Sequence, residues 1–116
     1  MGPVEVSVIV PTLDEESYLP ALLKSLSKQT FKAFEVLVVD GGSQDRTVAE
    51  ALEFKARVLV KKSNIAEARN IGAALSSARF LVFLDADTVV RSDFLETAVA
   101  TVRQGGAGLI MARPEP

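Results

Sequence analysis

Phe80-Leu81-Val82-Phe83-Leu84-Asp85-Ala86-Asp87-Thr88 is the stretch that decides the fold. Five apolar residues in a row, bounded by polar ones, read as a strand buried on both faces, as in a parallel sheet covered by helices. Such a strand ends at the protein surface, and this one ends in two carboxylates separated by one small residue. In an extended chain, residues two apart point to the same side. Asp85 and Asp87 are therefore expected to converge on one point, with Ala86 keeping the backbone approachable. Neighbouring carboxylates repel, and a site built of oxygen donors suits Mg2+ or Mn2+, often shared with a phosphate. Asp in these positions also serves as a turn former and helix cap. The spacing by itself leaves both roles open.

Outward from that strand the chain alternates. Toward the N-terminus, Val6-Ser7-Val8-Ile9-Val10 is a β-branched run expected to stop at Pro11. A helix follows, with Leu19, Leu22, Leu23 and Leu26 in one stripe and Pro20 tolerable only in its first turn. Phe34–Val39 is a second strand, ending at Asp40-Gly41-Gly42-Ser43. Thr47-Val48-Ala49-Glu50 has the pattern of a capping box opening a short helix. Val58–Val60 is a third strand, followed by Lys61 and Lys62, which are read as a solvated loop. Asn64-Ile65-Ala66-Glu67 repeats the capping-box pattern, and Ile65, Ala68, Gly72 and Leu75 mark one side of the helix it opens.

Beyond the central strand, Ser92 is expected to cap a helix with Phe94, Leu95, Ala98, Val99 and Val102 on one face. Gly108–Met111 reads as a fifth strand. Strands and helices alternating in this way predict a three-layer α/β/α sandwich around a mostly parallel sheet. Ligands of such sheets bind beyond the carboxyl ends of the strands, where Pro11, Thr12, Asp40, Lys61, Asp85 and Asp87 fall.

Composition narrows the chemistry. The 116 residues amount to one domain, 48% hydrophobic and 24% charged, as in ordinary globular proteins. A net charge of −2 argues against a general nucleic-acid surface, so a phosphate ligand must be held by a few local groups. With no Cys and no His, the chain has no disulfides, thiolate metal sites, imidazole ligands or Ser-His-Asp machinery. No apolar run approaches the roughly 20 residues of a membrane span, and the N-terminus lacks a signal-peptide pattern.

Four ordered blocks carry a family resemblance: Val8–Glu16, Val39–Thr47, Ala68-Arg69-Asn70-Ile71-Gly72 and Phe83-Leu84-Asp85-Ala86-Asp87. With them the chain resembles, from about Val6 to Met111, the N-terminal donor-binding half of a family 2 glycosyltransferase with the Rossmann-like GT-A fold. The resemblance implies that Pro11 and Thr12 contact a nucleotide base, and that Glu15 or Glu16 lies near the ribose. Asp14 stands where the family commonly has Asn. Asp40 would accept the imide N–H of uracil; a strand-ending turn residue is the plainer alternative. Gly41 and Gly42 would permit positive φ and close backbone approach, and Ser43 and Asp45 are read as capping residues. Arg69 would lie near the diphosphate. Asp87 would bind Mg2+ or Mn2+ directly, and Asp85 would contact the ribose or a metal-bound water.

The implied partner is a nucleotide-diphosphate sugar, a uridine one by the reading of Asp40, with no nucleic acid involved. Its sugar would pass with inversion to a saccharide, lipid-carrier or protein hydroxyl. The resemblance places the catalytic base and acceptor site in a C-terminal half, so the chain is expected to be part of a longer, cytoplasmic enzyme. Any membrane association would come through other regions. Self-association through the strand at Gly108–Met111 is a further expectation.

Three other readings share parts of the pattern. A binding or association module without catalysis keeps the same cleft. A haloacid-dehalogenase-like phosphatase would carry Asp85-Ala86-Asp87 on its first strand, with more motifs after it than the tail beyond Thr88 offers. A response-regulator receiver would need a lone Asp closing the third strand, where this chain has Val60-Lys61-Lys62.

Overall fold

The computed structural model describes residues 3–105 and 110–112. Strands β1 (Val6–Thr12), β2 (Phe34–Asp40), β3 (Arg57–Val60), β4 (Phe80–Phe83) and β5 (Ile110–Ala112) form one sheet in the order β3-β2-β1-β4-β5. Helices α1 (Leu19–Ser27), α2 (Thr47–Glu53), α3 (Ile65–Leu75) and α4 (Phe94–Arg103) connect them. The first four strands are parallel, and β5 runs antiparallel to β4. Of the fifth strand expected from sequence, Gly108 and Leu109 lie outside the described residues.

The alternation of β1 builds both faces. Val6, Val8 and Val10 join Val36, Val38, Phe80, Val82 and Leu84 in the larger core, beneath Leu19, Leu22, Leu23 and Leu26 of α1 and Leu95 and Val99 of α4. Ile9, Leu37 and Leu81 face the other way, with Ala73 of α3 packed against them. Both faces are therefore covered, as the unbroken apolar run of β4 predicts. Among the described residues, no helix is long and apolar enough to cross a membrane.

Helix α3 buries the middle of the stripe read in sequence but not its ends. Ala68 and Gly72 are buried, whereas Ile65 and Leu75 at the ends of the stripe are exposed. Small residues let this helix press onto the sheet: a Cβ built on Gly72 would stand 2.5 Å from Cγ2 of Ile9.

Helix starts divide in the same way. The Asn64 box is complete, with the Asn64 side chain accepting from the Glu67 N–H and the Glu67 side chain accepting from the Asn64 N–H. Thr47 and Ser92 do not cap. Thr47 is the first residue of α2, and Asp45 accepts its backbone N–H at 2.9 Å. Asp93 precedes α4 without a side-chain cap, while the Ser92 carbonyl accepts from the Thr30 N–H at 2.8 Å. Pro20 sits in the first turn of α1, where its missing N–H costs nothing.

Candidate functional site

The first strand runs through Pro11 rather than stopping before it, and Pro11 pairs in register with Val39 of β2. The Thr12 carbonyl accepts from Gly41 on the β2 side, and the Ile9 carbonyl accepts from Leu84 on the β4 side. Since strand residues alternate, the missing N–H of Pro11 faces β4. The β1–β4 pairing accordingly ends at Ile9↔Phe83. There the two strands part, at the point in the strand order where the chain crosses from one half of the sheet to the other. Open α/β sheets bind ligands at such points. Here the gap is a cleft of about 680 Å³, lined by Pro11, Thr12, Leu13 and Glu15, by Ser63–Ala66 and Ala68, and by Asp85, Ala86 and Asp87.

One wall is a pair of loops laced together. Asp14, at φ 53°, donates its N–H to Ser43 Oγ and accepts from the Gln44 N–H, each at 2.8 Å. Asp and Asn tolerate this left-handed backbone better than most residues. The Glu15 N–H reaches Thr47 Oγ1 at 2.8 Å, and the Glu16 N–H reaches Asp45 at 3.2 Å. Behind them stands Asp40, 0% exposed. Its Oδ1 accepts from Thr12 Oγ1 at 2.7 Å and Ser43 Oγ at 2.6 Å, and its Oδ2 from the N–H groups of Gly42 and Ser43. Burial opposes its charge, but these bonds from Ser43, Thr12 and Gly42 outweigh that and hold its carboxyl below the usual range. Gly42 takes φ 108°, and a Cβ on Gly41 would meet the Ser63 carbonyl at 3.1 Å. The positive φ of Gly42 favours glycine, and Gly41 lies close against the Ser63 carbonyl.

The opposite wall is the end of β4. Here the extended continuation expected from sequence gives way to a turn, closed by the Thr88 N–H donating to the Asp85 carbonyl at 3.0 Å. Asp85 and Asp87 are exposed on either side of buried Ala86, and both still line the cleft. Arg69 of α3 donates to Asp85 Oδ1 at 3.2 Å. The pKa of Glu15 is raised, first by burial and then by the negative charge of Asp87, Asp45, Asp85 and Asp14. Three carboxylates, Glu15, Asp85 and Asp87, therefore share one void, and the two aspartates oppose the charge of Glu15. Among the described residues, no group of three or more acidic side chains stands close enough to hold a metal unaided. Two carboxylates completed by phosphate oxygens and water are nevertheless an ordinary donor set for Mg2+ or Mn2+.

Of the residues singled out in sequence, the structure brings Pro11, Thr12, Glu15, Asp85 and Asp87 to the cleft, with Arg69 at its rim. Asp40 and Gly42 do not line it. Asp40, read as a base-contacting carboxylate, is inaccessible and has both oxygens committed to the loop it holds. Lys61 and Lys62 are exposed, as their reading as a solvated loop predicts. Sequence reading missed Leu13, Ser63, Ile65 and Ala66 as wall residues. The signal was the Asn64 box, which starts α3 directly beyond the carboxyl end of β3. Leu13 and Ile65 are 54% and 60% exposed and give the mouth an apolar lip among the acids.

A family model described as Glycosyl transferase family 2 matches residues 7–115. An uncharacterized glycosyltransferase of Haemophilus influenzae is 38% identical over 101 residues, which cover 84% of this chain and 34% of that protein. S. aureus TarS 1–349, solved in complex with UDP-GlcNAc, is similar at TM-score 0.80 and 32% identity, over 87% of this chain and 32% of that one. A mannosyltransferase from Pyrobaculum calidifontis, PcManGT, solved with GDP-Man and Mn2+, is similar at TM-score 0.76 and 25% identity, over 85% of this chain and 32% of that one. The chain thus spans about a third of the length of each.

Proposed function

The chain belongs to glycosyl transferase family 2, and we propose that its cleft binds the donor of a glycosyl transfer, a nucleotide-diphosphate sugar, together with Mg2+ or Mn2+. The observation that carries this reading is the meeting of three elements at the parting of β1 and β4. The β1 end with Leu13 and the first turn of α3 supply apolar and backbone surface for a nucleoside. The Asp85–Thr88 turn supplies carboxylates for a cation. The positive end of the α3 dipole favours an anionic ligand on the same side.

Asp85 and Asp87 would hold the metal. When bound, the metal would neutralise the diphosphate and stabilise the charge that develops as the nucleoside diphosphate leaves. The chain's own residues bind and orient. Pro11, Thr12 and Leu13 place the nucleoside, and Asp40 fixes the loop behind Thr12. Glu15 is carried to the cleft by its own N–H on Thr47 and by the lacing of Asp14 to Ser43 and Glu16 to Asp45. Arg69 stands within reach of a diphosphate. A uridine donor is the first choice, supported by the likeness to TarS, which was solved with UDP-GlcNAc. Transfer to an acceptor hydroxyl with inversion is the reaction proposed for the whole protein.

Calorimetric titration with UDP-GlcNAc tests the reading. In Mn2+ we expect binding of about −4 to −8 kcal/mol, and in EDTA little or none. Asp87→Asn should abolish the difference, because a neutral amide is a poorer ligand for a hard cation. Equal binding with and without metal would remove the metal from the proposal, and no binding in either would remove the donor.

A further inference from the structure

We infer that Arg69 is a resident cation on Asp85, one that metal and diphosphate must displace together, so that each raises the affinity of the cleft for the other. The inference rests on the donor-site reading and adds an exchange at one residue. Arg69 Nη2 lies 3.2 Å from Asp85 Oδ1. The side chains are 45% and 62% exposed, so water reaches the pair and its hold is weak. The other described arginine ion pairs, Arg46–Glu53, Arg57–Glu35, Arg91–Asp93 and Arg103–Glu5, do not involve cleft-lining residues.

The backbone beneath Arg69 does not give. The complete Asn64 box fixes the start of α3, and the contact of Gly72 with Ile9 fixes its middle. Only the long side chain is free to change partner. A carboxylate oxygen bound to Mg2+ or Mn2+ stands about 2.0–2.2 Å from the ion, so a metal on Asp85 sets a dication beside the guanidinium that shares the carboxylate. A metal arriving alone therefore works against the charge of Arg69, and the pair gives way or the metal binds more weakly. A diphosphate alters that balance, because guanidinium matches phosphate oxygens with paired donors. Arg69 then moves from one anion to another, and Asp85 is released to the metal. Linkage makes the effect reciprocal.

The test measures free Mn2+ by electron paramagnetic resonance, first without nucleotide and then with UDP. It compares the unaltered chain, Arg69→Gln, Asp85→Asn and the double variant. Without nucleotide, Arg69→Gln should bind Mn2+ about two- to fivefold more tightly, the range an exposed ion pair supplies. In the Asp85→Asn background the same change should give no gain. UDP should raise the Mn2+ affinity of the unaltered chain more than that of Arg69→Gln. Unchanged Mn2+ affinity in Arg69→Gln would overturn the exchange. An equal gain in both backgrounds would also overturn it, since bulk charge would then suffice. If the metal-only gain appears but UDP never raises Mn2+ affinity in the unaltered chain, the donor-site reading fails and the competition at Asp85 stands.

Discussion

Thr12 and Asp40, 28 residues apart, join the carboxyl ends of β1 and β2 through a buried hydrogen bond of 2.7 Å from Thr12 Oγ1 to Asp40 Oδ1. The same carboxylate gathers Gly42 and Ser43, so one side chain shapes the loop that backs the cleft. Asp40→Asn replaces an accepting oxygen with a donating amide in a site built from donors. It should cost about 1.5–3 kcal/mol, the range for hydrogen bonds to a charged group, measured as a lower urea midpoint with unchanged slope. A fully stable variant would mean that the loop does not depend on this hub.

Gly72 tests the packing of α3. A Cβ there would stand 2.5 Å from Cγ2 of Ile9, which is fully buried in the centre of the sheet. Gly72→Ala improves helix propensity yet should destabilise by about 1–3 kcal/mol, because overpacking outweighs the propensity gain. Thermal or urea unfolding reads the sign directly, and a stabilised variant would show that α3 stands off the sheet.

The acids predict how stability follows pH. Burial and the charges of Asp87, Asp45 and Asp85 raise Glu15 above its usual 4.5, and burial and Glu16 raise Glu50. Between 4.5 and the raised folded values, the unfolded chain releases these protons first, so stability falls as pH rises through that window. Asp40 has the opposite sign. Its folded pKa lies below 3.8, so its contribution is fully present above 3.8 and is lost as pH falls toward and through the folded value. Asp45 behaves likewise, held low first by the Thr47 hydroxyl. Urea midpoints taken across pH should therefore rise on mild acidification from neutrality and fall again in strong acid. Glu15→Gln should flatten the first limb, and an unchanged first limb would count against the shared void.

The sheet and its layers were legible because apolar periodicity is local: the Phe80–Leu84 run and the Leu19–Leu26 stripe needed no partner to be read. Pro11 was legible as a breaker but not as a strand residue. Its missing N–H matters only on the β4 side, and only the fold shows which neighbour lies there. Asp40 stood out by its place at a strand end. Its partners were not legible, because the donors that occupy it, on Thr12 and Ser43, are brought together by the β1–β2 register and a tight loop. The lacing of Asp14 to Ser43 and Gln44 joins residues about 30 positions apart, which periodicity cannot reveal. Thr47 and Ser92 misled because a cap needs a particular backbone geometry as well as a hydroxyl.

In the proposed function, the cleft between the ends of β1 and β4 takes a nucleotide diphosphate and a divalent metal. Paramagnetic broadening tests its location most directly. Substoichiometric Mn2+ added with UDP to the 15N-labelled chain should erase the amide signals of Glu15, Ala66, Ala86 and Asp87. Those of Lys32 and Ala78, at the opposite end of the strands, should persist. Broadening centred away from Asp85–Asp87, or spread evenly over the chain, would contradict the account.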